Sequence, residues 1–118
     1  MKCSGFPKAE RLRRSAAIQR VFRKGKKYYG ERIKLFILQN EHKTNRVVFT
    51  FPKNYGNAVE RNYSRRLCRE VYRRYKRNLA FGYDMAILIF PGNDSFPERK
   101  KHLEILFRKA GLWSDIHE

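Results

Sequence analysis

Hydrophobic residues follow three short runs that predict β-strands. Residues 33–38 and 46–51 alternate between two sets of side chains, which is the period of a strand whose two faces differ in environment. The polar stretch 41–45 predicts a turn between these strands. Residues 84–90 are apolar after Asp84, which indicates a central strand that is buried on both faces.

Two helices are predicted from apolar positions spaced three or four residues apart. The first begins at Ser15, whose hydroxyl can cap it, and ends at Gly25. The last begins at Ser95, which fits a capping box with Glu98, and ends at Gly111. The apolar positions are Ile18, Val21 and Phe22 in the first helix and Leu103, Leu106, Phe107 and Ala110 in the last.

A third helix is predicted over residues 56–77, and its two sides differ in charge. On a helical wheel, one side carries the residues that can pack on a sheet: Tyr63, Ser64, Leu67, Cys68, Val71 and Tyr75. The other side, which we term the arginine face, carries Arg61, Asn62, Arg65, Arg66, Arg69, Arg73, Lys76 and Arg77. Like charges at these spacings cost a helix roughly 0.2–0.5 kcal/mol per pair. A merely solvated face mixes signs, whereas only Glu60 and Glu70 interrupt this run, so the pattern indicates a polyanionic partner.

The order helix, two strands, helix, strand, helix predicts an α+β sandwich, with one sheet packed by about three helices. At 118 residues the chain is long enough for one modest core and too short for two. We therefore expect a single domain over residues 1–118.

The composition adds a strong positive charge to this scaffold. The formal net charge is +17, while hydrophobic residues make up 42% and aromatic residues 14% of the chain. Those fractions are too high for a disordered basic tail, so a folded surface attracts phosphate backbones. An acidic membrane surface is a second possible target. Against it, no apolar run approaches the roughly 20 residues of a membrane span, and the N-terminus lacks a secretory signal, so we expect a cytoplasmic protein.

The residue types that build catalytic and metal sites are scattered. His42, His102 and His117 lack the spacing of a zinc site, and Cys3 and Cys68 do not form a Cys-x-x-Cys pair. Cys68 is expected to be a small buried side chain. A metal-dependent nuclease needs clustered carboxylates, but the predicted strand ends offer a single aspartate. We expect neither catalytic residues nor metal ligands, which favours a binding protein.

Three segments resemble the protein subunit of bacterial ribonuclease P. Residues 56–70 read GNAVERNYSRRLCRE, which is similar to that family's RNR motif, GNAVxRNRxKRxxRE. RLRRSAAIQRVFRKG at 11–25 and KHLEILFRKAGL at 101–112 agree with the family in order and spacing. The resemblance covers residues 11–112, and three segments in register make it specific.

The resemblance implies a fold shared with some ribosomal protein domains, in which the arginine helix joins two parallel strands by a left-handed crossover. It also implies that an RNA subunit cleaves the phosphodiester bond with Mg²⁺ held mainly by that RNA. The chain would bind this catalytic RNA and the 5′ leader of precursor tRNA, and so promote endonucleolytic removal of the leader. No protein partner would be required.

Carried onto this sequence, the family's RNA-binding positions are Lys53, Arg61, Asn62, Arg65, Arg66 and Arg69. A cleft between the first helix and the sheet would hold the leader, with Ile18, Phe22 and Phe36 at its surface and rings available for base stacking. A phenylalanine at helical or strand spacing also suits a core, so core packing is the alternative for both rings. Tyr63 replaces the second arginine of the motif and is expected to border the core, and Ile18 replaces a family phenylalanine.

Two other functions remain open from the residues alone. A general or ribosomal RNA-binding protein without a processing role needs the same basic plane and folded scaffold. A stand-alone nuclease would need the carboxylate cluster that the sequence lacks. The three-segment match favours the ribonuclease P subunit, and a cleft with exposed aromatic rings would favour it further.

Overall fold

A computed structural model describes residues 8–92 and 95–114 of the protein. Its helices are α1 (Ser15–Lys24), α2 (Ala58–Tyr75) and α3 (Phe96–Lys109). Its strands are β1 (Lys26–Gly30), β2 (Ile33–Gln39), β3 (Arg46–Thr50) and β4 (Tyr83–Ile89). The α+β class is confirmed. Cys3 and His117 lie outside the described residues.

The strands form one mixed sheet in the order β1-β2-β4-β3. β2 pairs antiparallel with both β1 and β4, whereas β3 pairs parallel with β4. The predicted central strand is therefore β4, which has a partner on each side. α2 connects the parallel neighbours β3 and β4, as the resemblance implies; the left-handed sense of this crossover stays a prediction.

The sheet packs helices on both faces because its strands alternate. Odd positions such as Leu35 face α2 and α3, while even positions such as Phe36 face α1. Buried side chains on the first face include Met85, Ile87, Cys68, Val71, Tyr72, Leu103, Leu106 and Phe107. The smaller cluster on the second face consists of Leu12, Val21, Phe36 and Ala86. Together they form the sandwich that the sequence predicts.

The start of α1 differs from the prediction, and the strand that follows the helix was missed. Ser15 is the first helical residue, and the capping position belongs to Arg14, which makes no side-chain capping bond. Gly25 ends the helix as predicted. A β-carbon there would lie 2.5 Å from the carbonyl oxygen of Val21 and 2.7 Å from that of Ile37, so only glycine lets α1 turn directly into β1.

The packed side of α2 agrees with the helical-wheel prediction at Ser64, Cys68, Val71 and Tyr75 but differs from it at Tyr63 and Tyr72. Cys68 is fully buried as expected, but Tyr63 is 50% exposed and does not border the core. Tyr72 is instead 1% exposed and lies against Phe49 of β3, with ring centroids 6.4 Å apart. α2 ends at Tyr75 and continues as one 3₁₀ turn, so the regular helix is shorter than predicted.

Candidate RNA interface

The first turn of α2 is fixed by its own side chains. Asn57 Oδ1 accepts a hydrogen bond from the backbone N–H of Glu60 at 2.9 Å, and Glu60 Oε1 accepts one from the N–H of Asn57 at 3.0 Å. This capping box satisfies two donors that a helix start leaves open. Arg61 Nη1 donates to the carbonyl oxygen of Gly56 at 2.6 Å. The arginine face therefore begins from an ordered turn.

Two of the predicted RNA-binding residues are exposed on α2, and a third precedes the helix. Asn62 and Arg66 are exposed, and Asn62 Oδ1 accepts a hydrogen bond from Arg65 Nη1 at 2.9 Å. Lys53 is exposed in the 3₁₀ turn Lys53–Tyr55 that leads into α2. These groups present cationic and polar atoms to solvent, where a phosphate backbone could reach them.

The segment before α1 adds two arginines that the sequence did not single out. The backbone N–H of Leu12 donates to the carbonyl oxygen of Val47 at 3.0 Å, and Arg11 forms a parallel bridge with Val47. This pairing places Arg11 and Arg13 beside the outer edge of β3, near α2. No local sequence pattern predicts the contact, because it depends on a tertiary strand bridge.

A cleft of about 300 Å³ crosses this edge of the sheet, and we term it the β3 cleft. Its apolar lining comes from Leu12, Ile18, Val47, Val48 and Phe49, and its charged lining from Arg11, Arg13, Arg65 and Arg69. An apolar floor between guanidinium groups suits single-stranded nucleic acid, whose bases stack or pack while its phosphates bind cations. The β3 cleft thus contains Ile18, which was predicted for the leader cleft, and Arg65 and Arg69, which were predicted for RNA binding.

Like charges are concentrated around Arg69. Burial lowers the pKa of Arg69, and the charges of Arg11 and Arg65 lower it further. The guanidinium remains cationic at neutral pH, since arginine is effectively always protonated. Arg65 lies over the ring of Phe51, with 5.0 Å between the guanidinium carbon and the ring centroid. A bound phosphate would relieve the repulsion among these arginines.

Of the other predicted cleft residues, Phe22 is on α1 and Phe36 is on β2, beneath α1. Phe22 is half-buried and meets Phe36 edge to face, with ring centroids 4.7 Å apart. Phe36 is only 8% exposed, so its ring belongs to the core cluster beneath α1. Ile18 is half-buried and packs against the same cluster. The structure therefore separates Ile18 and Phe22, which reach the surface, from Phe36.

Beyond the end of α1, the same face of the sheet carries one exposed and one half-buried aromatic side chain, Tyr29 and Phe90. Tyr29 is 54% exposed and lies opposite Lys34 in the β1–β2 register. The Lys34 ammonium is 5.4 Å from the ring centroids of both Tyr29 and Phe90. The cation and the rings form a mixed surface of the kind that binds unpaired bases. Sequence reasoning missed Tyr29 because β1 was not predicted.

The acidic residues near this surface are engaged by arginines. Arg73 and Arg74 both donate to Glu70; the bond from Arg73, reinforced by both charges, holds the pKa of that carboxyl below its ordinary value. Asp84, at the start of β4, accepts two hydrogen bonds of 2.8 Å from Arg46.

Among residues 8–92 and 95–114, no group of three or more His, Cys, Asp or Glu is placed to hold a metal ion. No helix in the same part of the chain is long and apolar enough to span a membrane.

Comparison with known proteins agrees with this geometry. The family model described as Ribonuclease P matches residues 6–111. A ribonuclease P protein component from Dictyoglomus turgidum is 32% identical over 111 residues, covering 91% of this chain and 93% of that relative. A second relative, from Natranaerobius thermophilus, is 44% identical over 77 residues, covering 65% of this chain and 67% of its own.

Solved structures show the same fold. The ribonuclease P protein of Staphylococcus aureus superposes with a TM-score of 0.82 at 24% identity, covering 91% of this chain and 100% of that one. The protein from Thermotoga maritima gives a TM-score of 0.75 at 24% identity, covering 85% and 96%. The matched range of the family model includes the whole of α2. The chain belongs to the ribonuclease P protein family, whose members are tRNA-processing subunits of an endoribonuclease.

Proposed function

We propose that this chain binds the catalytic RNA through the part of the arginine face outside the β3 cleft and holds the 5′ leader of precursor tRNA in that cleft. The observation that carries the proposal is the composition of the cleft: apolar residues of α1 and β3 lie between arginines of α2 and of the N-terminal segment. A cleft of this kind tolerates different base sequences, because stacking and phosphate contacts read no base edges.

The predicted RNA-binding residues divide between two surfaces on this proposal. Arg61, Asn62 and Arg66 do not line the β3 cleft and serve the catalytic RNA. Arg65 and Arg69 line the cleft and contact the leader. The helical period separates Asn62 and Arg66 from Arg65 and Arg69, because residues four apart share a side of α2. Arg61 is four residues before Arg65, but its guanidinium donates to the carbonyl oxygen of Gly56 and does not line the cleft. Lys53, just before the helix, joins the first group.

We further propose that Mg²⁺ remains with the catalytic RNA. The side chains of the arginine face are cationic except for Asn62, so they repel a cation and lack the carboxylate ligands that Mg²⁺ prefers. The chain would aid metal binding by neutralising phosphates close to the cleavage site. Catalysis then belongs to the RNA, the complex needs no other protein, and it works in the cytoplasm where tRNA precursors are made.

The test is cleavage of precursor tRNA at low Mg²⁺ by the protein, by a bacterial ribonuclease P RNA, and by both together. We expect a correct mature 5′ end at a useful rate only when both are present. Cleavage by the protein alone would make the chain a nuclease. Tight RNA binding with no stimulation of cleavage would support a general RNA-binding protein instead.

A further inference from the structure

A second cavity, of about 230 Å³, continues the β3 cleft toward the C-terminal end of α2. The same three segments line both cavities. Glu10 directly precedes Arg11 in the chain, and Asn45 directly precedes β3. Lys76, the first residue after α2, lies about two turns beyond Arg69 on the same side, a rise of about 10 Å. An RNA strand that leaves the β3 cleft in this direction therefore meets the second cavity next.

An aromatic ring stands at the edge of this cavity on an ordered loop. Phe81 is 73% exposed, although the residues on both sides of it are held in place. Buried Asn45 donates from Nδ2 to the carbonyl oxygen of Ala80 at 2.7 Å and accepts from the backbone N–H of Tyr83 at 2.9 Å. The N–H of Ala80 donates to the carbonyl oxygen of Leu112 at 2.9 Å. The ring is presented to solvent at little further entropic cost on binding.

The charges around the ring suit a nucleotide. Lys43 and Arg77 are exposed and line the cavity beside Phe81. Among the described residues that line the cavity, Glu10 is the one carboxylate, and it is within 3.2 Å of Lys76, so the two charges offset each other. Two cations remain for phosphates on either side of a stacked base. The cavity is smaller than the roughly 300–1,000 Å³ of small-molecule pockets, which fits a single planar base.

We propose that Phe81 stacks an unpaired base of the precursor leader, next to the nucleotides in the β3 cleft, with Lys43 and Arg77 contacting the flanking phosphates. The inference rests on the proposed leader path. A leader is the fitting occupant because it is single-stranded and its bases are available to an exposed ring. Any base can stack on a phenyl ring, so this site would raise the affinity for the leader without restricting the leader's sequence.

The test uses the holoenzyme assembled with wild-type protein, Phe81→Leu or Phe81→Tyr. Phe81→Leu keeps an apolar side chain but removes the ring, and the exposure of Phe81 means that the fold loses little buried surface. The control is Ile105→Ala, which truncates an exposed apolar residue on α3. Equilibrium affinities are measured for the catalytic RNA, leaderless tRNA and leader-bearing precursor. A second set of precursors carries 2-aminopurine at successive leader positions.

We expect Phe81→Leu to weaken binding of the leader-bearing precursor about five- to tenfold, at the low end for base stacking. Its affinities for leaderless tRNA and for the catalytic RNA should equal those of wild type, and Phe81→Tyr should restore leader binding. Quenching of 2-aminopurine at one leader position should depend on the ring. If leader binding is unchanged in Phe81→Leu, or if affinity for the catalytic RNA falls instead, the inference is wrong. A wild-type holoenzyme that binds leaderless and leader-bearing tRNA equally would overturn the proposed leader cleft as well.

Discussion

Arg66 offers the cleanest test of a single phosphate contact, because it is exposed on α2 and outside the β3 cleft lining. We expect Arg66→Ala to weaken binding to the catalytic RNA and to lower the slope of log affinity against log salt by about one. Lys101→Ala, which removes one exposed charge from α3, is the control and should leave the slope nearly unchanged. Equal slopes for wild type and Arg66→Ala would remove Arg66 from the interface.

Phe22 tests the cleft residues that the resemblance implies. We expect Phe22→Ala to reduce the preference of the holoenzyme for precursor over mature tRNA, because it removes a half-buried ring one helical turn from Ile18, which lines the β3 cleft. Thermal unfolding must be measured alongside, since the ring also packs on Phe36. A variant that folds normally and keeps the full preference would leave Phe22 as a core residue only.

Residue patterns predicted which side chains of the site are charged better than they predicted which side chains are buried. The arginine face follows from helical spacing alone, and Arg61 and Arg66 lie on α2 as expected. Core packing was one of the two alternatives for Phe36, and its burial supports that alternative. The exposure of Tyr63 was not predicted, because it depends on which element packs above the ring. Arg11 was missed for a related reason: its place in the cleft comes from a bridge to β3.

The N-terminus of α2 is an element whose stability its cap should control. Asn57→Ala removes the acceptor for the Glu60 N–H and should lower the free energy of unfolding by about 1 kcal/mol. Asn57→Asp keeps an oxygen acceptor and should retain most of that stability. Urea denaturation of the isolated protein measures both variants. If Asn57→Asp lowers the free energy of unfolding as much as Asn57→Ala, the side-chain oxygen acceptor is not the source of the stability.

The junction of α2 with α3 should respond to alkaline pH. Burial and the hydrogen bond to Glu104 raise the pKa of Tyr75 to about 12, whereas an unfolded tyrosine ionises near 10. Tyr75 therefore contributes its full stability below about pH 10 and loses it as the pH rises toward 12. Tyr75→Phe should be less stable than wild type at pH 8, and the difference should shrink by pH 11. Tyr29→Phe, at an exposed tyrosine, is the control; a constant difference for Tyr75→Phe would contradict the assignment.

At the level of elements, the sequence predicted β2, β3, β4 and all three helices but not β1. The residues of β1 have no run of alternating apolar side chains, and most of them are exposed. The strand exists because β2 offers an edge for pairing and because α3 packs beside it. A β-carbon on Gly30 would lie 3.2 Å from the side chain of Leu106, which shows how closely α3 approaches. Such a contact has no local sequence signal.

The whole molecule carries a net charge of +17, which destabilises the compact state through self-repulsion. Millimolar pyrophosphate should therefore raise the melting temperature by about 5 °C through binding to the folded protein. Chloride at equal ionic strength should have a smaller effect. Arg69→Ala should reduce the shift, since Arg69 lies among three other arginines of the β3 cleft. Equal shifts with the two anions would mean that simple screening accounts for the effect.

The position of β4 also determines the order in which the protein can be completed during synthesis. β4 lies between β2 and β3, yet it is the last strand to be translated. Until the ribosome has released residue 89, β2 and β3 share no neighbour and neither apolar face of the sheet can close. The arginine-rich segment has already emerged by then, beside ribosomal RNA that attracts it. A nascent chain stopped before β4 is thus an unfolded polycation with an affinity for RNA, and not a partly working subunit.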